Sequence, residues 1–268
     1  MKKSALITGF IGIVMISGLF TGCEYQPNPS DNKPFMDLDA FSKPQPVVGL
    51  FVLNLEKAHN ASEYRKRENV RFEITGNIGN VQNYQATITM STTAHDVKIE
   101  SDDGKHFVYQ ESRSSLMEDS IIHNFEQLRS FAWAHFFSLP KRLRNHDVRV
   151  EKFNGSNRLN GESFRVRGIR LVPKPGFDDL FEWYVVYADR KSGLLRYAAY
   201  ALPEQMQHTE EVISHAVEYS DYRDVDGIPI AHKWTFWEWS PDNGLGSKLG
   251  NATLENVSFL PVDNGYYK

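Results

Sequence analysis

Alternation of apolar and polar residues from Asn69 onward constrains the fold of this chain more than any other feature. In NVRFEITG, which begins at Asn69, every second side chain is apolar, and NYQATITMS, which begins at Asn83, repeats the pattern. A period of two places the apolar side chains on one face of a β-strand. DVKIE and KHFVYQ follow, and Asp102-Asp103-Gly104 between them is typical of a hairpin turn. These four segments predict an antiparallel meander.

Further strand candidates fill the second half of the chain. They are DVRVEKF, ESFRVRGIRL, FEWYVVYAD, LLRYAAYAL, EEVISHAVEYSDY, IPIAHKWTFWEWS and ATLENVSFL, with turns at DRKSG and RDVDG. Together with the meander they give about eleven strands, which cluster instead of alternating with helices. The sequence therefore predicts an α+β fold with one large antiparallel sheet.

Two segments have the periodicity of helices. Residues 47–67, VVGLFVLNLEKAHNASEYRKR, carry a partial apolar stripe and predict one helix. Residues 116–138 place apolar side chains at steps of three and four, which predicts a central helix with a wide apolar face. Pro140 then prevents its continuation. The side chains of that apolar face are Ile121, Phe125, Leu128, Ala132 and Phe136.

The N-terminal residues have the pattern of an export signal. Two lysines precede the uncharged apolar run of residues 5–20, and Thr21-Gly22-Cys23 follows with the only cysteine of the chain. The run is shorter than the roughly 20 residues that a membrane-spanning helix needs. The four residues that end this pattern, Phe20-Thr21-Gly22-Cys23, resemble the cleavage site of a bacterial lipoprotein. The resemblance implies that residues 1–22 are a signal peptide and that Cys23 becomes the lipidated N-terminus; an ordinary signal peptide and an uncleaved anchor remain as alternatives.

The composition after Cys23 predicts a spacer before one domain. Residues 23–46 contain five prolines, which favour extended backbone, and we interpret them as a tether. Residues 47–268 are long enough for a single large domain. An aspartate directly after the lipidated cysteine would retain a lipoprotein at the inner membrane. This chain has Glu24 at that position, which favours location at the outer membrane, facing the periplasm.

Four segments together resemble known domains. They are KAHNASEYRKRENVRFEITG, FFSLPKRL, DRKSGLLRYAAY and YRDVDGIPIAHKW. Their order resembles an uncharacterised family of secreted and lipoprotein domains and, more distantly, the bacterial lipoprotein carriers and lipoprotein-localisation factors. The resemblance implies a strongly curved, incomplete barrel with helices packed on its concave side, where acyl chains can be held. It implies no catalytic residue.

Aromatic side chains supply the candidate binding residues. FEWYVVYAD and KWTFWEWS are apolar on both faces, so each strand is either covered on both sides or lines a cavity. A hydrophobic ligand pocket and plain core packing are both open interpretations. For the pocket, the candidate ligand-binding side chains are Trp183, Tyr187, Trp234, Phe236, Phe125 and Phe136.

Several classes of function find no support in the sequence. The formal net charge is −4 without a block of basic residues, which argues against nucleic acid as a partner. The nine histidines lack the spacing of a metal site, and no GxSxG elbow is present. We therefore expect no metal, no cofactor and no catalytic residue. The favoured function is a binding module for lipid or another hydrophobic ligand. A scaffolding protein that docks a partner through Trp237 and Trp239 is the alternative, and a hydrolase is the weakest.

Overall fold

β-Strands dominate the structure. The computed structural model describes residues 46–78, 81–110, 125–143, 148–149, 153, 158–159, 162–163, 165–167, 172–173, 183–201, 214–262 and 265–267. The helices among them are α1 (Pro46–Ala58), α2 (Ala61–Tyr64) and α3 (Phe125–Ser138), with a 3-10 turn at Leu139–Lys141. The strands are β1 (Asn69–Ile78), β2 (Val81–Ser91), β3 (Asp96–Ser101), β4 (His106–Gln110), β5 (Val148–Arg149), β6 (Arg158–Leu159), β7 (Glu162–Ser163), β8 (Arg165–Arg167), β9 (Val172–Pro173), β10 (Trp183–Ala188), β11 (Leu195–Ala201), β12 (Ser214–Val225), β13 (Ile228–Ser240) and β14 (Gly244–Leu260).

Ten strands form one large sheet in the order β4-β3-β2-β1-β14-β13-β12-β11-β10-β8. Neighbouring strands are antiparallel, and the last long strand, β14, returns to pair with β1. The sheet is curved and does not close on itself. The pairs β5–β9 and β6–β7 form two small separate sheets. The prediction of an α+β fold with a large curved antiparallel sheet is thus confirmed.

The N-terminal meander has the register that the alternation predicts. β1 pairs with β2 so that Phe72 faces Ile88 and Ile74 faces Ala86. Phe72, Ile74 and Ile88 are fully buried, whereas Arg71, between β1's inward-facing residues, is exposed. The hydrophobic period therefore decides which face of these strands meets the core.

The main core lies between one face of the sheet and the three helices. Phe51, Val52 and Leu55 of α1 contribute to it together with Tyr64 of α2. A second, smaller cluster lies on the opposite face of β10 and β11. Both faces of β11 and of β10 from Tyr184 to Ala188 are buried, so this described part of FEWYVVYAD is covered on both sides.

The prediction of one helix over residues 47–67 is wrong. α1 ends at Ala58, and Asn60 adopts a left-handed backbone with φ 48° before α2 begins. Asparagine enters this conformation at lower cost than most residues. Its side chain is held there because Asn60 Nδ2 donates a 2.8 Å hydrogen bond to the carbonyl oxygen of Gly227, in the turn between β12 and β13.

The last strand is longer than predicted. ATLENVSFL marks only the end of β14, which begins at Gly244 and pairs with β13 after the turn at residues 241–243. The first half of β14 lacks apolar alternation because much of it is exposed to solvent. Its pairing with β13, including Trp239 opposite Leu245, supplies the order that the local sequence does not indicate.

The central helix is described from Phe125, and residues 111–124 lie outside the described residues. α3 ends at Ser138, one residue before the 3-10 turn that contains Pro140, as the proline predicts. The described residues, from 46 to 267, belong to one compact unit, and the predicted signal peptide and most of the tether lie outside them. Among the helices that the structure describes, none has the length and hydropathy to cross a bilayer.

Candidate functional site

The C-terminal half of α3 presents aromatic side chains to the sheet. Trp133, Phe136 and Phe137 are spaced three and four residues apart, so they share one side of the helix. Each is at most 4% exposed. Every second residue of the facing strands points toward them, which places Trp234 and Phe236 of β13 against the helix. We call this layer of rings between α3 and the sheet the aromatic layer.

The rings of the aromatic layer are in direct contact. The centroid of Trp133 lies 6.0 Å from that of Trp234 and 5.8 Å from that of Phe236. Phe137 stacks on Phe72 of β1 at 4.7 Å. These separations fall in the range of favourable aromatic pairs. The layer is therefore packed like a protein core.

Little empty space remains beside the layer. A cavity of about 10 Å³ lies next to the 3-10 turn, which is room for about one water molecule. It is lined by Phe136, Phe137, Pro140, Lys141, Tyr219, Tyr222, Ile230, Ala231 and Trp234. In the part of the chain that the structure describes, an acyl chain would have to displace side chains in order to enter.

Three buried donors of this region have no hydrogen-bond acceptor among the described residues. They are the indole nitrogens Nε1 of Trp133 and Trp234 and the hydroxyl of Tyr64. A buried polar group without a partner costs about 1–3 kcal/mol, and most native cores avoid it. The layer thus combines an apolar lining with unsatisfied donors, which is the composition of a ligand site as well as of a strained core.

Lys141 lies at the end of the aromatic layer and is only 2% exposed. Its Nζ donates a 2.8 Å hydrogen bond to the carbonyl oxygen of Phe137. The same nitrogen lies 4.5 Å from the ring centroid of Phe137 and 5.2 Å from that of Tyr64. Burial lowers the pKa of Lys141 to about 7, because desolvation penalises the ammonium form.

His59 is a structural residue next to this site. Its Nδ1 donates to the carbonyl oxygen of Leu55 at 2.8 Å, and its Nε2 accepts from the backbone N–H of Leu195 at 3.3 Å. Burial lowers the pKa of His59 to about 3, so the ring is neutral at physiological pH. The ring joins α1 to β11. Within the described residues, no three histidine, cysteine, aspartate or glutamate side chains are placed to share a metal ion.

The structure brings together only some of the predicted ligand-binding residues. Phe136, Trp234 and Phe236 meet in the aromatic layer, where the centroids of Phe136 and Phe236 are 5.9 Å apart. Tyr187 does not join them, because β10 directs it to the opposite face, into the second cluster. Trp183 begins β10 and Phe125 begins α3, but their side chains lie outside the described residues, as does Cys23.

Trp239 is not the exposed docking residue that the scaffolding alternative requires. It is 4% exposed and packs in the second cluster, with its ring centroid 6.1 Å from that of Phe153. Trp237 on the same face is half-buried, and its Nε1 donates to Glu218 Oε2 at 3.1 Å. The outer face of β13 therefore carries one buried and one hydrogen-bonded tryptophan.

Sequence reasoning missed Trp133, Tyr219 and Lys141. Trp133 lies one residue after the apolar stripe position Ala132, and Tyr219 lies in the strand candidate EEVISHAVEYSDY with nothing that distinguishes it as a binding residue. The hydroxyl of Tyr219 donates to the carbonyl oxygen of Phe136 at 3.1 Å, which fixes α3 on β12. Lys141 has an apolar residue two positions away on each side, Leu139 and Leu143, which is a weak indication that its side chain is buried.

No protein-family model matches the chain, and no curated protein is significantly similar to it. Solved structures with a similar fold include the following three. One is a DUF1329 family protein from Desulfovibrio piger, with TM-score 0.44 and 10% identity over 82% of this chain and 97% of that chain. A LolA superfamily protein from Nitrosomonas europaea has TM-score 0.46 and 6% identity over 82% and 97%. A putative outer membrane lipoprotein-sorting protein domain from Vibrio parahaemolyticus has TM-score 0.41 and 10% identity over 80% and 97%.

Two of these three structures bear the names of the lipoprotein-localisation and lipoprotein-sorting proteins, the more distant group that the sequence resembles.

Proposed function

We propose that the chain is a membrane-anchored lipoprotein of the bacterial cell envelope that binds lipid or another hydrophobic ligand between α3 and the sheet. One observation carries the proposal: the aromatic layer holds two buried indole N–H groups, of Trp133 and Trp234, without an acceptor among the described residues. A ligand with an apolar body and an oxygen acceptor would pack against the rings and accept a hydrogen bond from one of these N–H groups.

Entry of the ligand requires α3 or its side chains to move, because the cavity beside the layer holds only about one water molecule. The contacts to be exchanged are mostly ring to ring, and apolar contacts are non-directional. An acyl chain that replaces them therefore restores most of the buried apolar area. Among the described residues, one directional bond to be broken is that from the Tyr219 hydroxyl to the carbonyl oxygen of Phe136.

The binding proposal is tested by displacement of a fluorescent fatty acid from the parent protein and two matched variants. Trp234→Phe keeps an apolar ring in the layer but removes the indole N–H, and we expect affinity to fall about 2- to 10-fold, the value of one hydrogen bond. Trp237→Phe removes the same group from the opposite face of β13 and should leave affinity unchanged. No uptake of fatty acid by the parent, or equal losses in both variants, would contradict the proposal.

Anchoring is tested at Cys23. Several acyl chains, each contributing about 0.8 kcal/mol per buried methylene, would hold the protein on a membrane that faces the periplasm. We expect Cys23→Ser to yield a soluble or an unprocessed protein that takes up no radiolabelled palmitate. A Cys23→Ser protein that still incorporates palmitate and sediments with the membrane would show that another residue is the anchor.

A further inference from the structure

The buried Lys141 has more donors than it has hydrogen-bonded acceptors among the described residues. Its ammonium group carries three N–H bonds, and the one acceptor that the structure shows is the carbonyl oxygen of Phe137. No carboxylate of the described residues lies within 4.0 Å of the Lys141 Nζ. Lysine is rarely this deeply buried without a counter-ion. The nitrogen instead lies over the rings of Phe137 and Tyr64.

The surroundings of Lys141 add further buried donors that have no partner among the described residues. Lys141 and Trp234 line the same cavity, and the Nε1 of Trp234 has no partner among the described residues. The hydroxyl of Tyr64, whose ring lies beside the Lys141 Nζ, also lacks one. A buried group of donors without partners among the described residues is complemented by an anion, because hydrogen bonds to ionised groups are the strongest that proteins make.

We propose that Lys141 binds the anionic headgroup of a single-chain amphiphile whose apolar tail lies in the aromatic layer. The inference rests on the proposed function and specifies its ligand. Carboxylate, phosphate and sulfonate headgroups share the required chemistry: a compact negative charge with several acceptor oxygens. The position of Lys141, directly after α3, places the headgroup at one end of the layer and leaves the rings of Trp133 and Phe136 for the tail.

The charge of Lys141 gives this site a pH dependence of known sign. The pKa of about 7 in the free protein means that the amine is protonated at pH 6 and mostly neutral at pH 8. A bound anion favours the ammonium form and raises the pKa. Binding of a permanently anionic ligand therefore weakens as the pH rises, by roughly tenfold between pH 6 and pH 8.

The histidine and the tyrosines closest to Lys141 keep one charge state in this interval. Burial lowers the pKa of His59 to about 3 and raises the pKa values of Tyr64, Tyr219 and Tyr222, so all four side chains stay neutral. Arg65 forms an ion pair with Glu56, and its guanidinium, like that of the neighbouring Arg142, stays charged. The pH dependence is thus assigned to Lys141.

The test is calorimetric titration of the full chain carrying Cys23→Ser, so that no covalent acyl chain competes for the layer. The probes, each used below its micelle concentration, are dodecyl sulfonate, which is anionic at every pH used, dodecanol, which is neutral, and ethanesulfonate, which lacks the tail. We expect dodecyl sulfonate to bind more tightly at pH 6 than at pH 8, dodecanol to bind equally at both, and ethanesulfonate to bind weakly.

Two substitutions separate the headgroup from the tail. Lys141→Met keeps the length and apolar contacts of the stem, and we expect about a tenfold or greater loss for dodecyl sulfonate with dodecanol unchanged. Lys141→Arg should retain binding of dodecyl sulfonate and lose the pH dependence. The inference would be overturned if Lys141→Met bound dodecyl sulfonate as well as the parent does, or if ethanesulfonate bound as tightly as dodecyl sulfonate. In either case, binding of dodecanol would still support the proposed function. If no probe with a tail binds, the proposed function itself fails.

Discussion

Replacing Gly76 by alanine is expected to destabilise the protein by about 3 kcal/mol, near the upper end of the range for overpacked sites. Gly76 lies in β1 between Tyr84 of β2 and Ala252 of β14. A Cβ atom at this position would lie 2.9 Å from the Cα and 3.1 Å from the Cβ of Ala252, and still closer to the carbonyl oxygen of Asn251. These are mostly backbone atoms of the pairing strand, so relief would require β1 and β14 to separate.

Gly49→Ala is the matched control for this prediction. Gly49 lies in α1, and a Cβ there would have no heavy atom within 4 Å. Alanine is a better helix former than glycine by up to about 1 kcal/mol, so this variant should be slightly more stable than the parent. Urea unfolding with an unchanged slope reports both free energies. Equal stability of Gly76→Ala and the parent would show that β1 and β14 do not approach as closely as described.

Truncation of Trp234 is expected to produce the other large effect. Its side chain is 1% exposed and its ring contacts Trp133, Phe136 and Tyr219 at centroid distances of 6.0, 6.3 and 6.0 Å. Trp234→Ala should cost about 3–5 kcal/mol of unfolding free energy, since it removes the centre of the aromatic layer and leaves a cavity.

Trp237→Ala, on the other face of the same strand, should cost about 1.5 kcal/mol, the lower value for a hydrogen bond to a charged group. Glu218, which accepts from Trp237, keeps its ion pair with Arg196 at 2.8 Å. Chemical unfolding of the two variants measures the difference. If Trp237→Ala lowered the unfolding free energy more than Trp234→Ala does, the main core would have to lie on the face of β13 that carries Trp237.

Hydrophobic alternation was sufficient to predict the sheet but not the face of each strand that meets α3. Alternation correctly separates Trp234 and Phe236 from Trp239, and Tyr184 from Tyr187. It does not indicate which set faces the helices, because both sides of β10 and β11 are apolar. Tyr187 was therefore grouped with residues that lie across the sheet from it.

Features that depend on distant contacts were not predictable from local sequence. The break between α1 and α2 at Asn60 is stabilised by a hydrogen bond to Gly227, 167 residues away. Lys141 follows a helix, where a basic side chain is ordinarily explained by the negative end of the helix dipole. Its burial arises from packing against Tyr64 of α2, which only the folded chain brings near.

Native mass spectrometry of the protein purified from its native host tests most directly whether the aromatic layer binds an apolar ligand. We expect a one-to-one complex with a lipid-like molecule in the parent and in Trp237→Phe, and a reduced fraction of that complex in Trp234→Phe. A parent protein that carries no bound molecule, and that still takes up none when incubated with fatty acid, would contradict the account.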